Sequence, residues 1–178
     1  MHNKVVYHAA KAINRLGLPV LRFNFRGAGL SDGEHDRGRG EADDVRAALS
    51  WLDQEFHLPI IFAGFSFGAA VGLRVCCAQQ NVSALIALGT PVEAEDRVYQ
   101  YSYLAGCAKP KLFISGAQDP YGPQEQLRKI VAAAAEPKDL VLIEGAGHFF
   151  EERLFPMQSA IESWLKPLLA QPAQRASL

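Results

Sequence analysis

Gly64-Phe65-Ser66-Phe67-Gly68 is the segment whose residue types and spacing most directly imply chemistry. It fits the pattern G-x-S-x-G, follows the apolar run Ile60–Ala63, and precedes a helix-like stretch, Phe67–Gln79. A strand-to-helix turn at this point pushes the serine into a strained, exposed position. Glycines at 64 and 68 let strand and helix approach closely around it. A serine hydroxyl is a weak nucleophile at neutral pH, so it needs a base within hydrogen-bond reach and a group to orient that base. Two later segments offer both. Ile114–Asp119 ends in a carboxylate just past one apolar run, and Ile143–His148 ends in an imidazole just past the next. Alone, Asp119 before Pro120 reads as a turn aspartate, and His148 as a satisfied core histidine. Together they stand in the chain order Ser, Asp, His, each at the end of an expected strand, and read as a catalytic triad. Glu93, after the strand Ala84–Leu88, is a rival for the acid. Gly-Ala-Gln-Asp-Pro is the better turn for presenting a carboxylate, which favours Asp119.

The elements that must carry these residues alternate between helix and strand, the pattern of a mostly parallel sheet flanked by helices. Residues 4–16 put Val5, Val6, Ala9, Ala12, Ile13 and Leu16 on one helical face, and Gly17 and Pro19 end that helix. Val20–Phe25 reads as a buried strand, and Arg26–Gly40 as a loop in which Arg26 pairs with Asp32 or Glu34. Arg37–Asp44 reads as a solvated loop leading into a helix over residues 41–56. Strands are expected at Ile60–Gly64, Ala84–Leu88, Lys111–Ser115 and Leu140–Ile143, giving about five in all. Further helices are expected from Pro123 to about Ala135 and from the neighbourhood of Pro156 onward. In a parallel sheet every strand ends at the same edge, so Ser66, Asp119 and His148 converge there. Residues 1–170 read as one domain and 171–178 as a flexible tail.

Composition narrows the function classes. The chain has 178 residues, 49% hydrophobic and 21% charged, with a net charge of −1. That balance suits a globular, soluble domain and argues against nucleic-acid or anionic-membrane partners. The longest uncharged apolar run, Ile60–Leu73, falls short of the roughly 20 residues of a membrane span. No apolar leader is visible, and Cys76, Cys77 and Cys107 form no C-x-x-C pair, so reduced thiols and a cytoplasmic location are expected. His2, His8, His35 and His57 show no metal-ligand spacing, and no metal or other cofactor is inferred. Gly27-Ala-Gly29 is followed by Gly33, one residue too late for a dinucleotide-binding G-x-G-x-x-G.

The segments Arg22–Gly33, Gly64–Gly68, Lys109–Asp119 and Gly145–Phe150 together resemble the α/β-hydrolase superfamily. Within it, the chain is most similar to small bacterial serine hydrolases akin to dienelactone hydrolase, with serine in place of cysteine as nucleophile. The likeness runs from Met1 to about Leu169. It implies Ser66 as nucleophile, His148 as general base and then acid, Asp119 as the orienting carboxylate, and the Phe67 N–H as an oxyanion donor. It also implies a departure. The family begins with further strands, and the loop after its third strand supplies the second oxyanion N–H, so the chain reads as N-terminally truncated relative to the family. In the family's strand order the absent strand lies between Val20–Phe25 and Ile60–Gly64, so those two either pair directly or leave a gap. An exposed strand edge there would offer a route to a homodimer. The stretch from Pro91 to Pro110 is too short for a cap domain, so an open pocket walled by Phe65, Phe67, Tyr121 and Phe149 is expected. Small carboxylic esters are the expected substrates, with thioesters, lactones and peptides left open. The alternative is a catalytically impaired relic or interaction module without a complete oxyanion hole.

Overall fold

The structure is a computed structural model that describes residues 3–94 and 97–170; the tail expected at 171–178 lies outside the described residues. Four strands, β1 (Ile60–Phe65), β2 (Val82–Leu88), β5 (Lys111–Gly116) and β6 (Lys138–Ile143), form one sheet in the order β1-β2-β5-β6. All three pairings are parallel. Two short strands, β3 (Glu93–Ala94) and β4 (Arg97–Val98), form a separate antiparallel pair after β2.

Strand alternation sorts the core into two layers. Leu85 and Ala87 of β2 and Phe113 of β5 face one cluster, shared with α2 (Gly40–Phe56), α3 (Phe67–Cys76) and α4 (Gln124–Ala133). Ile86 and Leu88 of β2 and Leu112 and Ile114 of β5 face the other, shared with α1 (Lys4–Arg15) and α5 (Leu154–Ala170). Both faces are covered by helices, so β2 and β5 read as continuous apolar runs rather than alternating ones. Lysines close the edge of the sheet opposite the candidate site. Buried Lys111 donates from Nζ to the carbonyls of Ala135 (2.7 Å) and Pro137 (3.2 Å), and Lys109 to those of Gln79 (2.6 Å) and Val82 (2.8 Å).

One expected strand is not formed. Residues 18–25 carry no regular secondary structure, and Val20, Leu21 and Phe23 are exposed. The segment has strand-like residues, but a strand requires a partner edge. The nearest one, the outer edge of β1, is separated from it by an apolar groove of about 560 Å³ lined by Leu18, Val20, Phe23, Ile61, Ala63 and Phe65. The gap foreseen between these two segments is therefore present, and they do not pair directly. Most of β1 is only partly buried, so water reaches its unpaired backbone groups and the cost of leaving them without protein partners is reduced.

Ser66 N–H donates to the Leu88 carbonyl on the β2 side, so by strand alternation the N–H groups of Phe62 and Gly64 also face β2. Those of Ile61, Ala63 and Phe65 face the groove. Amide hydrogen exchange is expected to be faster at Ile61, Ala63 and Phe65 than at Phe62 and Gly64 by on the order of 100-fold. Equal protection of the two sets would show that the outer edge of β1 is paired in solution.

Candidate active site

Ser66 is the single residue between β1 and α3, at φ 52° and ψ −123°. A non-glycine residue in that region costs about 1–3 kcal/mol and persists only when its surroundings hold it. Here its N–H donates to the Leu88 carbonyl (2.9 Å), and its own carbonyl accepts from Ala70 N–H (3.1 Å). The two glycines of the motif differ in what they do. A β-carbon on Gly64 would come 2.8 Å from both the Ala69 Cα and the Gly68 carbonyl oxygen, so the start of α3 can pack there only against glycine. A β-carbon on Gly68 would meet nothing closer than the Phe25 ring at 3.7 Å, which is ordinary contact. The expected need for close approach holds at 64 and not at 68.

Three loops at the C-terminal edge of the sheet bring the rest together. His148 lies 2.9 Å from Ser66 Oγ through Nε2 and 2.8 Å from Asp119 Oδ2 through Nδ1. Asp119 is 4% exposed and His148 7%. The carboxylate is fixed by two further donors: Tyr121 N–H reaches Oδ1 (2.9 Å), closing a turn over Pro120, and Ser115 Oγ reaches Oδ2 (3.3 Å). Glu93, the rival acid, lies exposed on β3, while the carboxylate bonded to His148 is that of Asp119. Ser115 was not singled out by sequence reasoning. A serine inside an apolar strand carries no signal until the turn folds back over it. The same holds for Gly116, where a β-carbon would collide with the carbonyls of Ala146 and Gly147, and for Gly89, where one would press on Phe65 and His148. These glycines let the loops close on the imidazole.

Aromatic rings surround His148. Phe65, Tyr121 and Phe149 have centroids 5.0, 4.7 and 5.1 Å from the imidazole, and Tyr121 and Phe149 remain well exposed. Phe67, expected as a fourth wall, instead packs its ring against Phe25, His35 and Arg97. Its backbone N–H, at the first residue of α3, has no intrahelical acceptor.

The loop before α2 is more highly built than its composition suggests. Arg26 pairs with Asp44, not with Asp32 or Glu34: its Nη2 lies 2.7 Å from Oδ1, and its backbone N–H donates to Oδ2 (2.9 Å). Asp44 is presented by the first turns of a helix, whereas a loop acid would have to be ordered first. Hydrogen bonding from Arg26 holds the Asp44 carboxyl below its ordinary range despite partial burial. Glu41, expected in a solvated stretch, is fully buried. It accepts from the N–H groups of Asp36 (2.9 Å) and Gly38 (2.7 Å) and pairs with His35 (2.6 Å). Burial alone would raise its pKa; the backbone donors and His35 outweigh that and leave it lowered. Behind the elbow, Cys76 packs in the core, where burial pushes its thiol up to about 12.

A model of the family described as "Alpha/beta hydrolase domain" matches residues 1–166. An uncharacterised protein of Rickettsia prowazekii is 34% identical over 172 residues, covering 93% of this chain and 72% of that protein. Among solved structures, an alpha-beta serine hydrolase homologue from Coxiella burnetii is 39% identical with a TM-score of 0.83, over 92% of this chain and 76% of that one. A serine hydrolase without a lid from Xanthomonas campestris is 32% identical with a TM-score of 0.83, over 97% of this chain and 77% of that one.

Gly64→Ala is expected to destabilise the fold by more than about 2 kcal/mol. Gly68→Ala is expected to change it by no more than about 1 kcal/mol. Urea unfolding of both separates a steric requirement at 64 from a motif-wide one. Glu41→Gln provides a test with a defined sign. Because Glu41 titrates lower when folded, its contribution is present above the ordinary carboxylate pKa of about 4.3 and fades as pH falls through the lowered value. Wild type and variant should differ by about 1–3 kcal/mol at pH 7. Their unfolding curves should converge toward acid pH.

Proposed function

The chain belongs to the α/β-hydrolase family, and on that premise we propose that it is a serine hydrolase of small carboxylic esters, working through an acyl-enzyme on Ser66. The observation that carries this reading is the continuous hydrogen-bonded line from Ser66 Oγ through the His148 ring to Asp119. The description of two relatives above 30% identity as serine hydrolases supports it. In this mechanism Ser66 Oγ attacks the acyl carbonyl as Nε2 of His148 takes its proton. Asp119 holds Nδ1–H, which selects the tautomer and stabilises the imidazolium. The Phe67 N–H binds the oxygen that gains negative charge. Collapse of the tetrahedral adduct expels the alcohol, which receives the proton from His148. Water then enters, gives its proton to Nε2, and releases the acid.

The open rim of Phe65, Tyr121 and Phe149 favours short acyl groups over long lipids. Between β2 and β5 the chain spends its length on the β3–β4 pair and a 3₁₀ turn, Ser102–Gly106. Neither is large enough to form a lid over this rim. A second reading, an impaired relic or an interaction module, is favoured by the open edge of β1 beside the elbow. In that reading the edge pairs with another chain, such as a second copy.

A fluorophosphonate probe is expected to label Ser66, and p-nitrophenyl esters are expected to be cleaved fastest at short acyl length. His148→Ala should lower kcat by on the order of 10³-fold or more. Labelling at Ser66 without turnover of any ester would favour the second reading. Absence of labelling in folded protein would remove the first.

A further inference from the structure

Beside Phe67, a second cavity of about 550 Å³ opens between the approach to α2, the outer side of α3, and the segment Arg97–Tyr103. Arg37, Arg39, Arg74 and Arg97 line it, and among the described residues no aspartate or glutamate does. The acids closest in sequence to the α2 wall are committed elsewhere. Asp36 accepts from Gly40 N–H, Glu41 from Asp36 and Gly38, Asp43 pairs with Arg46, and Asp44 with Arg26. None of the four lining guanidinium groups takes part in an ion pair among the described residues. Like charges gathered around one concavity repel, and the low-dielectric wall focuses their field into it, so the cavity favours an anion.

Two features give the cluster direction. The Arg97 guanidinium lies 5.5 Å from the Phe67 ring centroid and 5.9 Å from that of Tyr99, so aromatic faces hold it in place. Phe67, the residue after Ser66 and the first of α3, lines the cavity and carries its ring on the side of Arg97. Ala70 and Val71 give an apolar stretch between that point and Arg74. Tyr103 also lines the cavity, with its hydroxyl buried and without a hydrogen-bond partner among the described residues.

We propose that this cavity is a substrate subsite for an oxyanion, and that the preferred esters carry a carboxylate or phosphate group a few atoms from the scissile carbonyl. The proposal rests on the reading of Ser66 as nucleophile, and its test has one arm that does not. In that arm, glutarate and inorganic phosphate are titrated calorimetrically into the Ser66→Ala protein. Binding is expected at low salt, weakened at least about tenfold by Arg74→Gln or Arg97→Gln and by added salt. The stronger of the two ligands identifies the anion. Circular dichroism and thermal melting of the variants establish that they are folded. In the kinetic arm, the mono-p-nitrophenyl ester of glutaric acid is compared with p-nitrophenyl valerate, its neutral counterpart. Wild type should prefer the anionic ester by at least about tenfold in kcat/KM, and the ratio should fall toward one in the arginine variants. No anion binding, or binding and preference indifferent to Arg74 and Arg97, overturns the subsite. Anion binding without turnover of either ester keeps the cavity as an anion site and sinks the hydrolase reading, on which its role as a substrate subsite rests.

Discussion

Ser66 holds a backbone conformation that almost any other environment would relax. Leu88 fixes its N–H from the neighbouring strand, and Ala70 fixes its carbonyl from the first turn of α3. Gly64 removes a β-carbon that would press on the start of α3, and Gly72 one that would press on Phe62 of β1. The strain of about 1–3 kcal/mol is offset by core packing on both sides, since α3 is apolar on nearly every face and is buried against β1, β2 and α2. The direction of the hydroxyl, the N–H of Phe67 and the reach of His148 all follow from this one turn.

The parallel sheet does the second part of the positioning. Consecutive strands β2, β5 and β6 end at one edge, so residues distant in sequence meet there without any long loop crossing the core. Glycines at 89 and 116 then allow the loops to lie against one another at van der Waals distance. The opposite flank of the site lacks this closure. Beyond β1 the sheet stops, and the strand-like residues 18–25 stand off across an apolar groove that the rest of the fold does not fill.

Charge is distributed as unevenly as the sheet. Around the loop before α2, every acid from Asp36 to Asp44 is bound to a backbone N–H or a basic side chain. The arginines on the adjoining wall are left facing a cavity that starts at Phe67. A chain with a net charge of −1 thus gathers four arginines around a concavity that no acid lines among the described residues.

Most of the architecture was legible in the residues. Helical spacing of apolar positions marked α1, α2, α4 and α5, and uninterrupted apolar runs marked β1, β2, β5 and β6, because both signals arise from burial that is local in sequence. The motif and the order of Ser66, Asp119 and His148 were legible for the same reason: each sits in the turn next to its own strand. What the tertiary structure decided was everything that depends on a partner distant in the chain. Residues 18–25 have the composition of a strand and are not one, since pairing belongs to two segments and not to one. Arg26 found Asp44, and Glu41 became buried, because a helix start presents carboxylates in fixed directions that a loop pattern does not encode. The sequence by itself determined which groups could react; the packing of loops over Gly89 and Gly116 decided that hydroxyl, imidazole and carboxylate lie within hydrogen-bond distance, because only folded geometry sets the separation of atoms that the chain keeps 29 and 82 residues apart.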